Sequence, residues 1–140
     1  MSDGNLRQLL QNHLPMIHWQ SIETLIGRGT PDMNGCLDGQ EFWIENKATS
    51  GWTVTFETGQ VAWHERRFRA GGRTFIAVRR QAIAGPRRGE AVDELWLFRG
   101  QEARAVSLDG LKGKQPIVGI WHGGPARWDW GAIKGHLVHH

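Results

Sequence analysis

Two strand-like runs, "EFWIENK" (41–47) and "RTFIAVRR" (73–80), flank one helical stretch, "TGQVAWHERRFRAGG" (58–72). Strand, helix, strand in that order limits the fold more than any other feature of the chain. The unit closes as a right-handed crossover, which makes its two strands parallel neighbours in one sheet. Thr58 is the expected helix cap, and Gly71-Gly72 the expected stop.

Upstream, "SDGNLRQLLQNHLP" reads as a short helix. Ser2 or Asp3 can cap it, Leu6, Leu9, Leu10 and Leu14 recur at helical spacing, and Pro15 ends it. "IHWQSIETLIG" (17–27) predicts a first strand and Met33 to Leu37 a second. Asp38-Gly39 is a two-residue hairpin turn into the third strand at 41–47. Downstream, "LWLFRG" (95–100) is a fifth strand, "QEARAVSLDGLKGK" a short helix with a turn, and "DWGAIKGHLVHH" a closing helix with Trp130, Ile133, Leu137 and Val138 on one side. "PIVGIWHGG" has no clear period, and "WHGGPARWDW" reads as packing over the sheet. The first three strands form an antiparallel meander. The expectation is an α/β fold, a small mixed β-sheet flanked by helices, built by one domain, 1–140. A chain of 140 residues suits one core and not two.

The third strand ends on Glu45-Asn46-Lys47, an unusual close for a strand carrying Phe42 and Ile44. The period of two puts Glu45 and Lys47 on one face, about 7 Å apart, with Asn46 turned away. A tight turn at Asp38-Gly39 pairs residue 32 with residue 45, so Asp32 falls opposite Glu45. Two carboxylates at close range repel unless a cation lies between them. Oxygen ligands with room for water suit Mg²⁺ or Mn²⁺ better than zinc, and the Asn46 backbone carbonyl offers a further ligand. Such an ion lowers the pKa of bound water and neutralises charge on a phosphodiester. Lys47 can orient or deprotonate the water, or stabilise charge in the transition state. The bland alternatives are a turn carboxylate for Asp32 and an exposed ion pair for Glu45 and Lys47.

Charge is uneven along the chain. Between His64 and Arg88 stand eight arginines (Arg66, Arg67, Arg69, Arg73, Arg79, Arg80, Arg87, Arg88) against one acid, Glu65. The stretch reads as a phosphate-binding surface or as a solvated face. The planar, bidentate guanidinium favours the first. Eight tryptophans and no tyrosine suggest mostly half-buried rings, of which a few could stack on bases. The single Cys36 cannot form an internal disulfide. No run reaches the length of a membrane span, and the N-terminus lacks a signal-peptide pattern, so a cytoplasmic protein is expected.

"GTPD", followed thirteen residues after its Asp by "EFWIENK", resembles the PD-(D/E)xK nuclease superfamily. Pro31-Asp32 match the PD, and Glu45-Asn46-Lys47 the E-x-K. "GQVAWHERRFRAGGRTFIAVRR" resembles the helix and strand of the virus-type replication-repair (VRR-Nuc) branch, which is related to Holliday junction resolvases. Gln60 matches the Gln that this branch carries early in the helix. The resemblance covers roughly residues 20 to 80.

It implies a restriction-endonuclease-like αβββαβ core and a Mg²⁺- or Mn²⁺-dependent deoxyribonuclease of phage or bacterial type. It further implies cutting of branched DNA in replication, recombination or repair, and action as a homodimer. Asp32, Glu45, Lys47 and Gln60 would be its catalytic residues. The chain departs from the family at the N-terminal helix, which carries no carboxylate from Leu6 to Leu14; Glu23 is the substitute metal ligand. His64, one turn after Gln60, reads as a partly buried histidine. Two alternatives are a non-catalytic DNA-binding module with a nuclease fold, and a nicking or single-strand nuclease with another role.

Overall fold

The computed structural model describes residues 3–22, 29–83 and 91–139. The elements run α1 (Leu6–His13), β1 (His18–Ser21), β2 (Met33–Leu37), β3 (Gln40–Thr49), α2 (Gln60–Arg69), β4 (Thr74–Ile83), β5 (Ala91–Arg99), a 3₁₀ turn (Gly100–Glu102), α3 (Ala103–Asp109), β6 (Gly119–Trp121) and α4 (Trp130–Val138). The first six follow the order αβββαβ. The six strands form one mixed sheet in chain order, β1 to β6. Only β3 and β4 are parallel; every other neighbouring pair is antiparallel. This is the expected meander followed by a helical crossover.

The hairpin has the predicted register. Leu37 pairs with Gln40 and Met33 with Ile44. Asp38 (φ 52°) and Gly39 (φ 79°) both take left-handed backbone, as a two-residue turn matching strand twist requires.

Alternation sorts the side chains into two layers. Phe42, Ile44, Phe75, Ala77, Leu95 and Leu97 face α1 and α4, burying Leu6, Leu10, Ile133 and Leu137. Ile76, Val78, Trp96 and Phe98 face the other way, onto Val106 and Leu111, with Val61 of α2 packed alongside. Trp128 is buried in the first layer with Trp130 packed against it, so these rings of the tryptophan-rich segment cover the sheet, whereas Trp121 at its start belongs to β6 and pairs with Leu95.

Several boundaries differ from the sequence reading. β4 and β5 both run further, because their charged residues pair across the ladder. Arg79 binds Asp93 through two hydrogen bonds (2.9 and 2.7 Å), and Arg80 reaches Glu94 at 3.2 Å. Polar residues that look like a strand end are here the strand's continuation. Thr58 does not cap α2. Gly59 (φ 88°) holds that position, and the Gln60 side chain turns back to accept the Glu57 N–H at 2.7 Å. At α1, Asp3 accepts from the N–H groups of Asn5 and Arg7 at 2.9 and 3.2 Å; Ser2 lies outside the described residues. Among the described residues no helix is long and apolar enough to cross a membrane.

Gly29 docks the loop leading to Asp32 against the start of α2. Its φ is 91°, and a Cβ there would stand 2.2 Å from the Gly59 carbonyl oxygen. At Gly39 the backbone is equally left-handed, but a Cβ would meet nothing within 4 Å. Gly39→Ala should therefore cost only about 1 kcal/mol of backbone strain. Gly29→Ala adds an overpacking cost of roughly 1–3 kcal/mol. Urea denaturation of the two variants beside wild type measures the difference.

Candidate functional site

β3 is ten residues long and β2 is five, and their ladder ends at the Met33–Ile44 pair. Past that point the β2-facing edge of β3 is bare, and a cleft of about 530 Å³ opens there. Asp32, Glu45, Asn46, Lys47 and Gln60 all line it, joined by Arg7 from α1 and by Glu57. The sequence reading brought Asp32, Glu45, Lys47 and the Asn46 carbonyl together, with Gln60 added by the family resemblance. It missed Arg7 and Glu57, because neither lies in a motif and only packing of α1 and of the β3–α2 loop brings them near.

Asp32 is held by Asn46. The Asn46 N–H donates to Asp32 Oδ1 at 3.0 Å, and its amide Nδ2 to Oδ2 at 3.2 Å. Asn46 thus points away from Glu45 and Lys47, as expected, yet on its own face it clamps the neighbouring carboxylate. In an extended strand the N–H and C=O of one residue leave by the same edge. The Asn46 carbonyl therefore emerges on the Asp32 side, away from β4. Arg7 Nη2 approaches Asp32 Oδ2 to 3.6 Å.

Glu45 and Lys47 lie on the α2 side of the sheet, in register with Ile76 and Val78. Their charged atoms are 3.9 Å apart. Lys47 Nζ donates to Gln60 Oε1 at 2.6 Å, the same oxygen that takes the Glu57 N–H, and it stands 5.0 Å over the Phe56 ring. Gln60 so fixes the ammonium and closes the start of its own helix with one atom.

These groups are strained electrostatically. Burial pushes the Glu45 carboxyl up to about 8; the charge of Asp32 adds to this and the Lys47 ammonium opposes it. Burial also raises Asp32, against the hydrogen bonds from Asn46 and the charge of Arg7. Burial lowers Lys47, with Glu45, Glu57 and Asp32 resisting. Glu45 Oε1 is buried without a hydrogen-bond partner, as are Asn46 Oδ1 and Arg7 Nε. Orphaned buried polar atoms are rare and ask for a reason. Three of them line one cleft, where each is placed to meet a polar or charged group that enters it.

The donor set fits Mg²⁺ or Mn²⁺. It offers carboxylate and carbonyl oxygens and an unpartnered buried Oε1. Mg²⁺ is commonly held by one or two carboxylates, with waters and substrate phosphate completing its shell. Among the described residues no three His, Cys, Asp or Glu side chains gather into a metal-holding group. The carboxylate pair is what is present, and Glu23 lies outside the described residues.

The arginine stretch does not form one free surface. Arg80 is buried, donating to Gly51 O (2.9 Å) and Glu94; Arg79 also donates to Gly4 O (2.7 Å). Arg73 closes the end of α4, donating to the carbonyls of Leu137, His136 and His139. The guanidinium groups of these three are engaged within the fold, so they are not part of the single free basic surface that the sequence suggested. Arg66, Arg67 and Arg69 remain exposed on α2, with Arg67 against Trp63 and Trp43. Arg87 and Arg88 lie outside the described residues. Trp52, at 37% exposure, carries Arg80 and Lys112 over its ring at 3.7 and 3.9 Å. His64 is fully buried, with Nδ1 3.1 Å from Thr74 Oγ1, and its pKa is lowered to about 4 by burial and by Lys47. It is a neutral core histidine.

No protein-family model matches this chain, and no curated protein matches it.

The Glu45 shift makes a stability prediction. Unfolded, the carboxyl ionises near 4.5; folded, near 8. Between those values the folded chain keeps a proton that the unfolded chain has released, so stability falls as pH rises through the window. Glu45→Gln should stabilise the metal-free protein by roughly 2–4 kcal/mol at pH 8 and much less at pH 5. Denaturant melts in EDTA at both pH values test this; equal gains would refute it.

Proposed function

We propose that this chain is a Mg²⁺-dependent endonuclease of the PD-(D/E)xK type that hydrolyses DNA phosphodiesters. The observation that carries the reading is the meeting of Asp32 and Glu45 in an open cleft with Lys47 tethered to Gln60. These are the residues on which the sequence resemblance rests, drawn from the bend before β2, from β3 and from α2. The resemblance alone supports the finer parts of the proposal: a branched substrate such as a Holliday junction or flap, a homodimer, and a replication or repair role.

In this reading Asp32 and Glu45, with the Asn46 carbonyl, hold the divalent ion. When bound, the ion supplies Lewis-acid charge and an acidified water. The chain does the positioning. Asn46 keeps the Asp32 carboxylate in one orientation through two hydrogen bonds. Gln60 keeps the Lys47 ammonium beside Glu45, where it can orient the water or meet charge developing on phosphorus. A lowered Lys47 pKa eases its use as a proton carrier near neutral pH. Water oxygen bonds to phosphorus, the bond to the 3′ oxygen breaks and that oxygen takes a proton, leaving a 5′-phosphate end.

Cleavage of labelled four-way junction, flap, duplex and single-stranded DNA in Mg²⁺ tests the proposal. Glu45→Ala and Lys47→Ala should each lose roughly 10²–10⁴-fold in rate. Gln60→Ala should lose less, because it acts through Lys47. If wild type and Glu45→Ala both bind DNA and neither cuts, the chain is a binding module. If linear duplex is cut as fast as the junction, selectivity for branches is wrong.

A further inference from the structure

Arg7 stands in the first turn of α1 and lines the cleft from the side away from Lys47. Its Nη2 is 3.6 Å from Asp32 Oδ2, an approach of charge but too long for a hydrogen bond. Among the described residues its guanidinium makes no hydrogen bond, and Nε is buried without a partner. The side chain is 39% exposed, so the fork reaches open cleft. Structural arginines elsewhere in this protein look different. Arg79 binds both oxygens of Asp93, and Arg104 both oxygens of Glu65. A guanidinium that touches a carboxylate only at long range, with its donors unspent, is poorly matched to a purely structural role.

Asp32 explains the arrangement. Asn46 already fills part of its acceptor capacity, and Arg7 balances its charge. A divalent cation between Asp32 and Glu45 would supply that charge instead and leave Arg7 without a counter-ion. The planar fork then suits the anion that would lie in the cleft, a phosphate with two oxygens to offer.

We propose that Arg7 is a phosphate-binding residue, held by Asp32 in the free protein and transferred to a DNA phosphate when a divalent cation occupies the carboxylate pair. This rests on the reading of the cleft as a phosphodiester site. It places one cation on each side of the substrate, Lys47 from the sheet face under α2 and Arg7 from α1. Arg7 and the cation compete for Asp32 while they cooperate on DNA.

The test is fluorescence anisotropy of a labelled four-way junction with wild type, Arg7→Gln and Arg7→Lys, in EDTA and in Ca²⁺, over a salt series. In Ca²⁺, Arg7→Gln should bind about tenfold more weakly, with a log–log salt slope shallower by about 0.9, one duplex phosphate contact. In EDTA its loss should be much smaller. Arg7→Lys should keep the slope and lose part of the affinity. Without DNA, Arg7→Gln should bind Mn²⁺ several-fold more tightly, read as free ion by electron paramagnetic resonance.

Unchanged affinity and slope for Arg7→Gln in Ca²⁺ overturn the phosphate contact. An equal loss with and without Ca²⁺ overturns the transfer. Should Arg7→Gln fail to fold, Arg7→Lys carries the comparison, and an altered slope there counts against the proposal. Wild type that shows no salt-dependent DNA binding sinks both this inference and the nuclease reading. Wild type that binds and cuts beside an unaltered Arg7→Gln sinks this one alone.

Discussion

A single hydrogen bond, from the Asn46 N–H to Asp32 Oδ1 at 3.0 Å, marks where the sheet stops being a scaffold and becomes a site. β3 outruns β2, so the N–H that would have continued the ladder meets a side chain instead of a strand. An extended edge with no partner exposes main-chain donors and acceptors that must be satisfied. The Asp32 carboxylate does this for Asn46, and is thereby anchored beside Glu45. The cleft, the clamp on Asp32 and the direction of the Asn46 carbonyl all follow from that mismatch of strand lengths.

The second consequence is energetic. Glu45 is buried with one oxygen unpartnered, next to another acid. Desolvating a carboxylate costs several kcal/mol unless it is paired, and Lys47 at 3.9 Å compensates only in part. The rest of the molecule carries that cost. Both faces of the sheet are packed with fully buried Phe, Leu and Ile side chains, and the strands behind the site are tied by paired arginines. Natural proteins that break a local rule at one place offset it with consistent packing elsewhere, and this sheet does so.

The arginines show how misleading a linear charge count is. Eight cations against one acid suggested a nucleic-acid surface. In space the acids of β5, Asp93 and Glu94, lie across the ladder from Arg79 and Arg80, so strand pairing neutralises what the sequence displays as a block. Arg7, a lone cation in an unremarkable helix, reaches the carboxylates instead.

Local rules determined much of this protein. The Asp38-Gly39 turn sets the hairpin register, a period of two sets the faces, and a strand–helix–strand run sets the parallel pair; all act over a few residues and are readable in one dimension. So the placement of Asp32 against Glu45, and of Lys47 beside them, was legible. Only the tertiary structure decided what surrounds them. Gln60 serves Lys47 because α2 packs on that face; Arg7 meets Asp32 because the leucines of α1 bury against the opposite face. Those neighbours lie 13 and 25 residues apart in the chain. Contacts at such separations depend on how helices dock on a sheet, which is set by the summed packing of the whole core and by no short motif.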